Sequence, residues 1–243
     1  METLTIATRF QGPAGSGNGG YVCGRLASYV DANGGPVTVS LRRPPPLDTP
    51  LQVSVGSAAT LLAGTDVVAG ARPGRFDGAV MPTAGMEQAR AAEPSYRGKV
   101  SHPFPTCFVC GTGRRIGDGM CLSPGLVAPG RTACTWTPDG SLAADHNAAV
   151  PTEFVWSALD CPGGWTSDLE ARPLVLGTMT AMCHHRVDFG QTYVVVGELV
   201  AEQGRKTRTA TALYDPTGTL VARAEQVWIA VDPAVFQQLA EPV

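Results

Sequence analysis

Apolar and polar positions alternate with period two in several runs along the chain, which marks strands. In the first third the pattern covers Val37 to Leu41 (VTVSL), Leu51 to Val55 (LQVSV), and an apolar pair around Thr60 to Ala63 and Val67 to Ala71. In the last third it covers Val175 to Met182, Tyr193 to Val200, Thr207 to Tyr214 and Leu220 to Val231. Two segments have helical character instead. The first is Gly20 to Asp31 (GYVCGRLASYVD), ahead of Asn33-Gly34-Gly35. The second is Thr152 to Cys161 (TEFVWSALDC), which should stop at Pro162-Gly163-Gly164, since proline and glycine break the ladder.

The two thirds also match each other. LRRPPPLDTPLQVSV and CHHRVDFGQTYVVVG share one layout: a strand end, a polar corner with an acid, then an apolar strand. LLAGTDVVAGA and LYDPTGTLVARA share a hairpin, with turns at Gly64-Thr65-Asp66 and Asp215-Pro216-Thr217-Gly218. One supersecondary unit, a helix followed by an antiparallel meander, is therefore repeated. The expected class is α+β, with the two units side by side so that each covers the other's edge strand. The boundaries drawn from this are residues 1–80 for the first unit, 81–100 for a linker and 101–243 for the second. Gly, Pro and Ala dominate Pro73 to Pro105, where Met86 to Ala92 (MEQARAA) has the pattern of a short helix.

Composition narrows the function classes. A net charge of -3, with 16% charged residues, gives no basic stripe for nucleic acid or an anionic membrane. The basic residues come in pairs, Arg42-Arg43, Arg114-Arg115 and Arg205-Lys206, which suit a phosphate-bearing small ligand if they are more than solvated surface. No run approaches the roughly 20 apolar residues of a membrane span, and the N-terminus lacks the features of a signal peptide. Seven cysteines, an odd number, argue against a full disulfide framework. The expectation is a cytoplasmic protein with reduced thiols.

Several motifs together resemble the hotdog-fold thioesterase superfamily. Cys107-Phe108-Val109-Cys110-Gly111 followed by Asp118-Gly119-Met120 is similar to a CxxCG…GL opening that precedes the central helix in that superfamily. Asn18-Gly19-Gly20 resembles the His-Gly-Gly that starts the helix in phenylacetyl-CoA thioesterase-like members, where a carboxylate follows nine residues later. In the second half Pro151-Thr152-Glu153 stands in that place, and Asp160 lies nine residues after Pro151. Leu220 to Gln226 resembles the last strand of double-hotdog acyl-CoA thioesterases, where a glutamine helps hold the water; Gln226 is the matching position.

What the resemblance implies is a double hotdog with sites between its halves. The first half keeps the glycines but has Ala27 where the acid would be, and the second keeps the acid but lacks the glycines. One composite site is therefore implied, with Gly19 and Gly20 facing Asp160; Glu153 is the only candidate to compensate in the opposite pairing. The substrate would be an acyl-CoA or acyl-carrier-protein thioester, with no cofactor and no metal. Chains of this kind can pair further into homo-oligomers. The chemistry suits these residue types. Free N–H groups at a helix start stabilise an oxyanion, and an acid in an apolar helix is strengthened as a base by desolvation. Asp160 would act as base or as nucleophile, with Asn18 and Gln226 orienting. Asn18 also suits a plain helix N-cap.

Other constellations compete. Cys107, Cys110, Cys121 and Cys134, with His102 as a substitute, have partial zinc spacing, but a second close pair is missing and a packed turn is the expectation. The Gly15 to Gly20 run resembles a dinucleotide fingerprint, yet the strand after it turns back at once as a hairpin. Of His184 and His185 at most one can face a site, because neighbours on a strand point to opposite sides. A non-catalytic acyl-CoA-binding protein on the same fold is the alternative function, and a hydratase lacks its Asp/His signature.

Overall fold

The computed structural model describes residues 2–143 and 149–232. Eleven strands form a single sheet, in the order β1-β3-β4-β5-β2-β8-β11-β10-β9-β7-β6, and every strand pairing is antiparallel. The first half contributes β1 (Glu2–Leu4), β2 (Val37–Leu41), β3 (Leu51–Val55), β4 (Ala59–Ala63) and β5 (Asp66–Pro73). The second contributes β6 (Gly125–Ala128), β7 (Arg131–Trp136), β8 (Leu174–Cys183), β9 (Tyr193–Gln203), β10 (Lys206–Tyr214) and β11 (Leu220–Ala230). Outward from the β2–β8 seam the orders β2-β5-β4-β3-β1 and β8-β11-β10-β9-β7 correspond strand for strand, as expected of a repeated unit. At the seam Thr38 pairs Thr180, their hydroxyls 2.8 Å apart, and Val39 pairs Met179. The edge strands β1 and β6 are only 3 and 4 residues long, which limits the unpaired backbone they present.

Three helices cover the sheet. α1 (Gly19–Ala27) and α3 (Thr152–Gly164) lie together against one face, within one continuous core that holds Leu26, Val39, Leu61, Leu159, Met179 and Val195. α2 (Met86–Ala92), at the position its sequence pattern marks, packs by Ala89 against Ala133, Val194, Val196 and Ala212 in a second cluster. That double cover explains why Tyr193 to Gly197 on β9 is buried at every position instead of at alternate ones.

Both main helices depart from their expected ends. α1 stops at Ala27, short of Asp31, because the chain tightens into a three-residue turn (Val30 N–H to Ala27 O, 3.0 Å) and Asp31 Oδ1 then takes the Asn33 N–H at 2.9 Å. α3 runs through Pro162 to Gly164. Proline removes one helical hydrogen bond, but sheet side chains serve the carbonyls around it. Thr211 Oγ1 and Gln226 Nε2 donate to Leu159 O at 2.8 and 2.7 Å, and Thr132 Oγ1 donates to Pro162 O at 2.7 Å. β6 and β7 fall where the hydrophobic pattern predicts no strand, the short Gly125–Trp136 hairpin being framed by Gly and Pro.

Candidate active site

α1 and α3 cross at unusually short range because two glycines of α1 face α3. A Cβ on Gly20 would lie 2.6 Å from Asp160 Cβ and 2.8 Å from Trp156 O, and one on Gly24 would lie 2.5 Å from Glu153 Cα. Only a residue without a side chain fits at either place. The crossing brings the start of α1 onto Asp160, which is 2% exposed. Asp160 Oδ2 accepts the Gly20 N–H at 3.0 Å and the Asn18 Nδ2 at 2.9 Å. Asn18 is at the same time the N-cap, its Oδ1 taking the Tyr21 N–H at 2.9 Å. Asn18 is therefore both a cap and a partner of the acid.

The other carboxylate oxygen, Oδ1, is buried and has no hydrogen-bond partner among the described residues. Burial pushes the Asp160 carboxyl up to about 7; the Gly20 N–H and Asn18 amide oppose this, and the nearby Cys107 sulfur adds to it. A buried acceptor with no partner is rare in a folded chain. Asp160 also lines a cleft of about 310 Å³, together with Asn18, Gly19, Leu174, Leu176 and Trp228. Arg42, Arg43 and Arg205 border it. Arg43 is paired with Asp66 at 3.0 Å and Arg205 donates to Ala230 O at 3.1 Å, while the guanidinium of Arg42 has no partner among the described residues.

The expected residues divide accordingly. Asn18, Gly19, Gly20 and Asp160 come together although about 140 residues separate the acid from the glycines. The Gly20 N–H, expected as an oxyanion donor, is already engaged by Asp160, because a residue in the first helical turn has no carbonyl behind it and the carboxylate fills that place. The Gly19 N–H has no partner among the described residues. Gln226 does not line the cleft. It is 2% exposed beneath α3, donating to Leu159 O and to Thr211 Oγ1 (2.7 Å each) and accepting from Thr209 Oγ1 at 2.9 Å. Every polar atom of its side chain is thereby used in holding the helix turn that carries Asp160. In the opposite pairing, Glu153 is partly exposed and faces Arg25 at 3.9 Å, beside a stack of Phe10 on Tyr21 with ring centroids 4.1 Å apart.

Three thiols were not expected together. Cys161, next to Asp160 in sequence, meets Cys107 and Cys110, and the three sulfurs lie within 4.8 Å of one another. Hydrogen bonds with Cys110 and Cys161 hold the Cys107 thiol well below its usual range. Burial, then Cys107, pushes Cys110 up, and the Cys107 and Cys110 sulfurs push Cys161 up. The CxxC spacing signals two of these residues; nothing in the sequence places the third, 54 residues from Cys107.

No family model and no curated protein matches the chain. Solved structures do. The tesB protein of Mycobacterium avium subs paratuberculosis superposes with a TM-score of 0.62 at 15% identity, covering 95% of this chain and 92% of that one. The fold is a double hotdog. A protein from Novosphingobium aromaticivorans described as a thioesterase agrees, with a TM-score of 0.60 at 11% identity over 95% of each chain. At such identities the double hotdog is what is shared, and the chemistry must be argued from the site. Among the described residues no helix is long and apolar enough to cross a membrane.

Proposed function

We propose that the chain hydrolyses an acyl thioester at a single composite site, with the first half supplying Gly19 and Asn18 and the second half supplying Asp160. The observation that carries this reading is the asymmetry of the Asp160 carboxylate: Oδ2 is held by two donors from the other half, and Oδ1 is left without a partner in a residue that lines the cleft. A carboxylate fixed at one oxygen and free at the other is positioned to take a proton from water. The water oxygen then bonds to the thioester carbonyl carbon while its proton passes to Oδ1. The Gly19 N–H, at the positive end of α1, faces the charge that develops on the carbonyl oxygen. Collapse expels the thiolate, which recovers a proton, and the acid leaves. Direct attack by Oδ1, giving a mixed anhydride that water then opens, uses the same atoms.

Apolar Leu174, Leu176, Trp165 and Trp228 suit the acyl chain, and the unpaired Arg42 suits a phosphate-bearing carrier such as CoA. Gln226 and Asn18 act by positioning. The test is thiol release from a panel of acyl-CoAs of different chain length. Turnover that disappears with Asp160→Asn supports the reading. Tight binding of every acyl-CoA without release of thiol would replace it with the binding-protein alternative.

A further inference from the structure

We propose that Cys107, Cys110 and Cys161 bind a zinc ion at the wall of the cleft, with His102 outside the coordination sphere as a hydrogen-bond donor to the Cys110 sulfur.

The three thiols come from two distant parts of the chain, the Cys107–Cys110 turn and the last turns of α3, and all are buried, at 4, 4 and 8% exposure. The Cys107 and Cys161 sulfurs are 3.7 Å apart. Two thiolates on a tetrahedral zinc, each at about 2.3 Å, lie about 3.8 Å apart, so this separation already matches the bound geometry. The Cys107–Cys110 turn is closed by its own backbone. The Gly111 N–H donates to Cys107 O at 2.9 Å, and a Cβ on Gly111 would lie 2.5 Å from that oxygen, so glycine is needed there. Tyr96 Oη donates to Cys110 O at 2.9 Å and holds the second half of the turn. Buried thiols elsewhere behave differently: Cys23 and Cys134 belong to no such group among the described residues.

The position of His102 follows from its hydrogen bonds. Its Nδ1 accepts the Phe104 N–H at 2.9 Å, so in the neutral ring the proton sits on Nε2, which lies 3.4 Å from the Cys110 sulfur. An N–H aimed at a thiolate stabilises the charge that metal binding requires, which is the part outer groups play around metal sites. Zinc binding releases the thiol protons to solvent and forms three Zn–S bonds. The fourth position is left for a ligand from the cleft, which all three cysteines line. Cys121 and Cys134, the partners that spacing alone offers, take no part. Its readout is metal content, which is separate from thiol release.

The test is elemental analysis of the full chain purified under reducing conditions without a metal-affinity tag, followed by stripping with a chelator and titration with Co²⁺. The expected result is one zinc per chain, and on Co²⁺ loading an intense thiolate-to-cobalt charge-transfer band with tetrahedral d–d bands. Cys110→Ser and Cys161→Ser should lose both signals, whereas His102→Ala should keep them with affinity lowered about 10–100-fold. A native chain that contains no transition metal and takes up neither Zn²⁺ nor Co²⁺ with its thiols reduced overturns the proposal, whether or not the serine variants fold. Peptide mapping that finds Cys107 and Cys161 joined as a disulfide in the reduced preparation overturns it as well. Loss of all metal in a folded His102→Ala chain overturns the placement of His102 outside the coordination sphere.

Discussion

Replacing Asp160 in two ways separates its chemical role from its structural one. Asparagine keeps the shape of the side chain and can place its own Oδ1 where the native Oδ2 accepts from Gly20 N–H at 3.0 Å and Asn18 Nδ2 at 2.9 Å. Its amide nitrogen then stands where the native Oδ1 has no partner. Both interhelical bonds survive, and stability should change by about 1 kcal/mol or less. Alanine leaves the Gly20 N–H without an acceptor and Asn18 Nδ2 with only the Cys107 sulfur at 3.8 Å, in a site that is 2% exposed. A stranded donor costs about 1–3 kcal/mol, so about 3 kcal/mol is lost in total, or about 6–12 °C in Tm for a chain of this size. Activity should follow a different order. Neither variant has a carboxylate at the wall of the cleft, so each should lose about 10²–10⁴ in kcat, equivalent to about 2.7–5.5 kcal/mol of barrier. Calorimetric Tm and thiol release, measured on the same preparations, read the two effects separately. An Asp160→Asn chain that keeps turnover within a few-fold of the native protein refutes the role of the acid. An asparagine variant as unstable as the alanine variant refutes the claim that Oδ2 is the oxygen that joins the halves.

Other variants probe the crossing, the support beneath it and the rim. Gly20→Ala and Gly24→Ala each insert a methyl group less than 3 Å from α3 atoms, and overpacking of this kind costs about 1–3 kcal/mol; a Gly20→Ala chain with native Tm would refute the close approach. Gln226→Leu removes the acceptor of the Thr209 hydroxyl proton, which keeps only the Trp228 N–H as a partner, and takes one of two side-chain donors from Leu159 O, so the urea midpoint should fall by the equivalent of about 2 kcal/mol, and no fall would show that its contacts to α3 carry no stability. Arg42→Ala should raise KM for an acyl-CoA about fivefold at low salt, about 1 kcal/mol. The effect should shrink as salt is added and be absent for an acyl-pantetheine thioester, which lacks the nucleotide phosphates; an equal effect on both substrates would exclude a phosphate contact.

Much of the architecture is legible in the sequence because most strands are apolar or alternating runs bounded by Gly, Pro, Asn and Asp turns. The correspondence of LRRPPPLDTPLQVSV with CHHRVDFGQTYVVVG falls on β2–β3 and β8–β9, and that of the two hairpins on β4–β5 and β10–β11. These are the strands that the near-symmetric sheet places in matching positions on either side of the seam. What is not legible depends on tertiary contacts. β6 and β7 are short and owe their pairing to β9 and to the cover of α2. α3 outlasts Pro162 because Thr132, Thr211 and Gln226 reach its carbonyls from the sheet, and no local pattern announces donors 30 to 67 residues away. The same distance hides Gln226: a polar residue on an apolar strand looks the same whether it faces a cleft or a helix carbonyl. Cys161 is hidden for a related reason, being a lone cysteine until the fold brings the Cys107 turn to it.

The halves divide more than the acid and the glycines between them. Each half of a symmetric pair would have to supply both the glycine that permits close approach and the carboxylate that approaches. Here α1 carries both glycines of the crossing, and α3 carries both acids that meet them, Asp160 at Gly20 and Glu153 at Gly24. The two acids then meet different surroundings. Glu153 sits in the first turn of α3, partly exposed, with Arg25 as its counter-charge at 3.9 Å. Asp160 lies in the last turns, 2% exposed at the wall of the cleft, and among the described residues both of its donors belong to the opposite half. An ionised acid in that position is tolerated only while those donors stay in place. The contact that holds one oxygen of Asp160 thus also ties the two repeats together, and the acid and its donors come from different repeats.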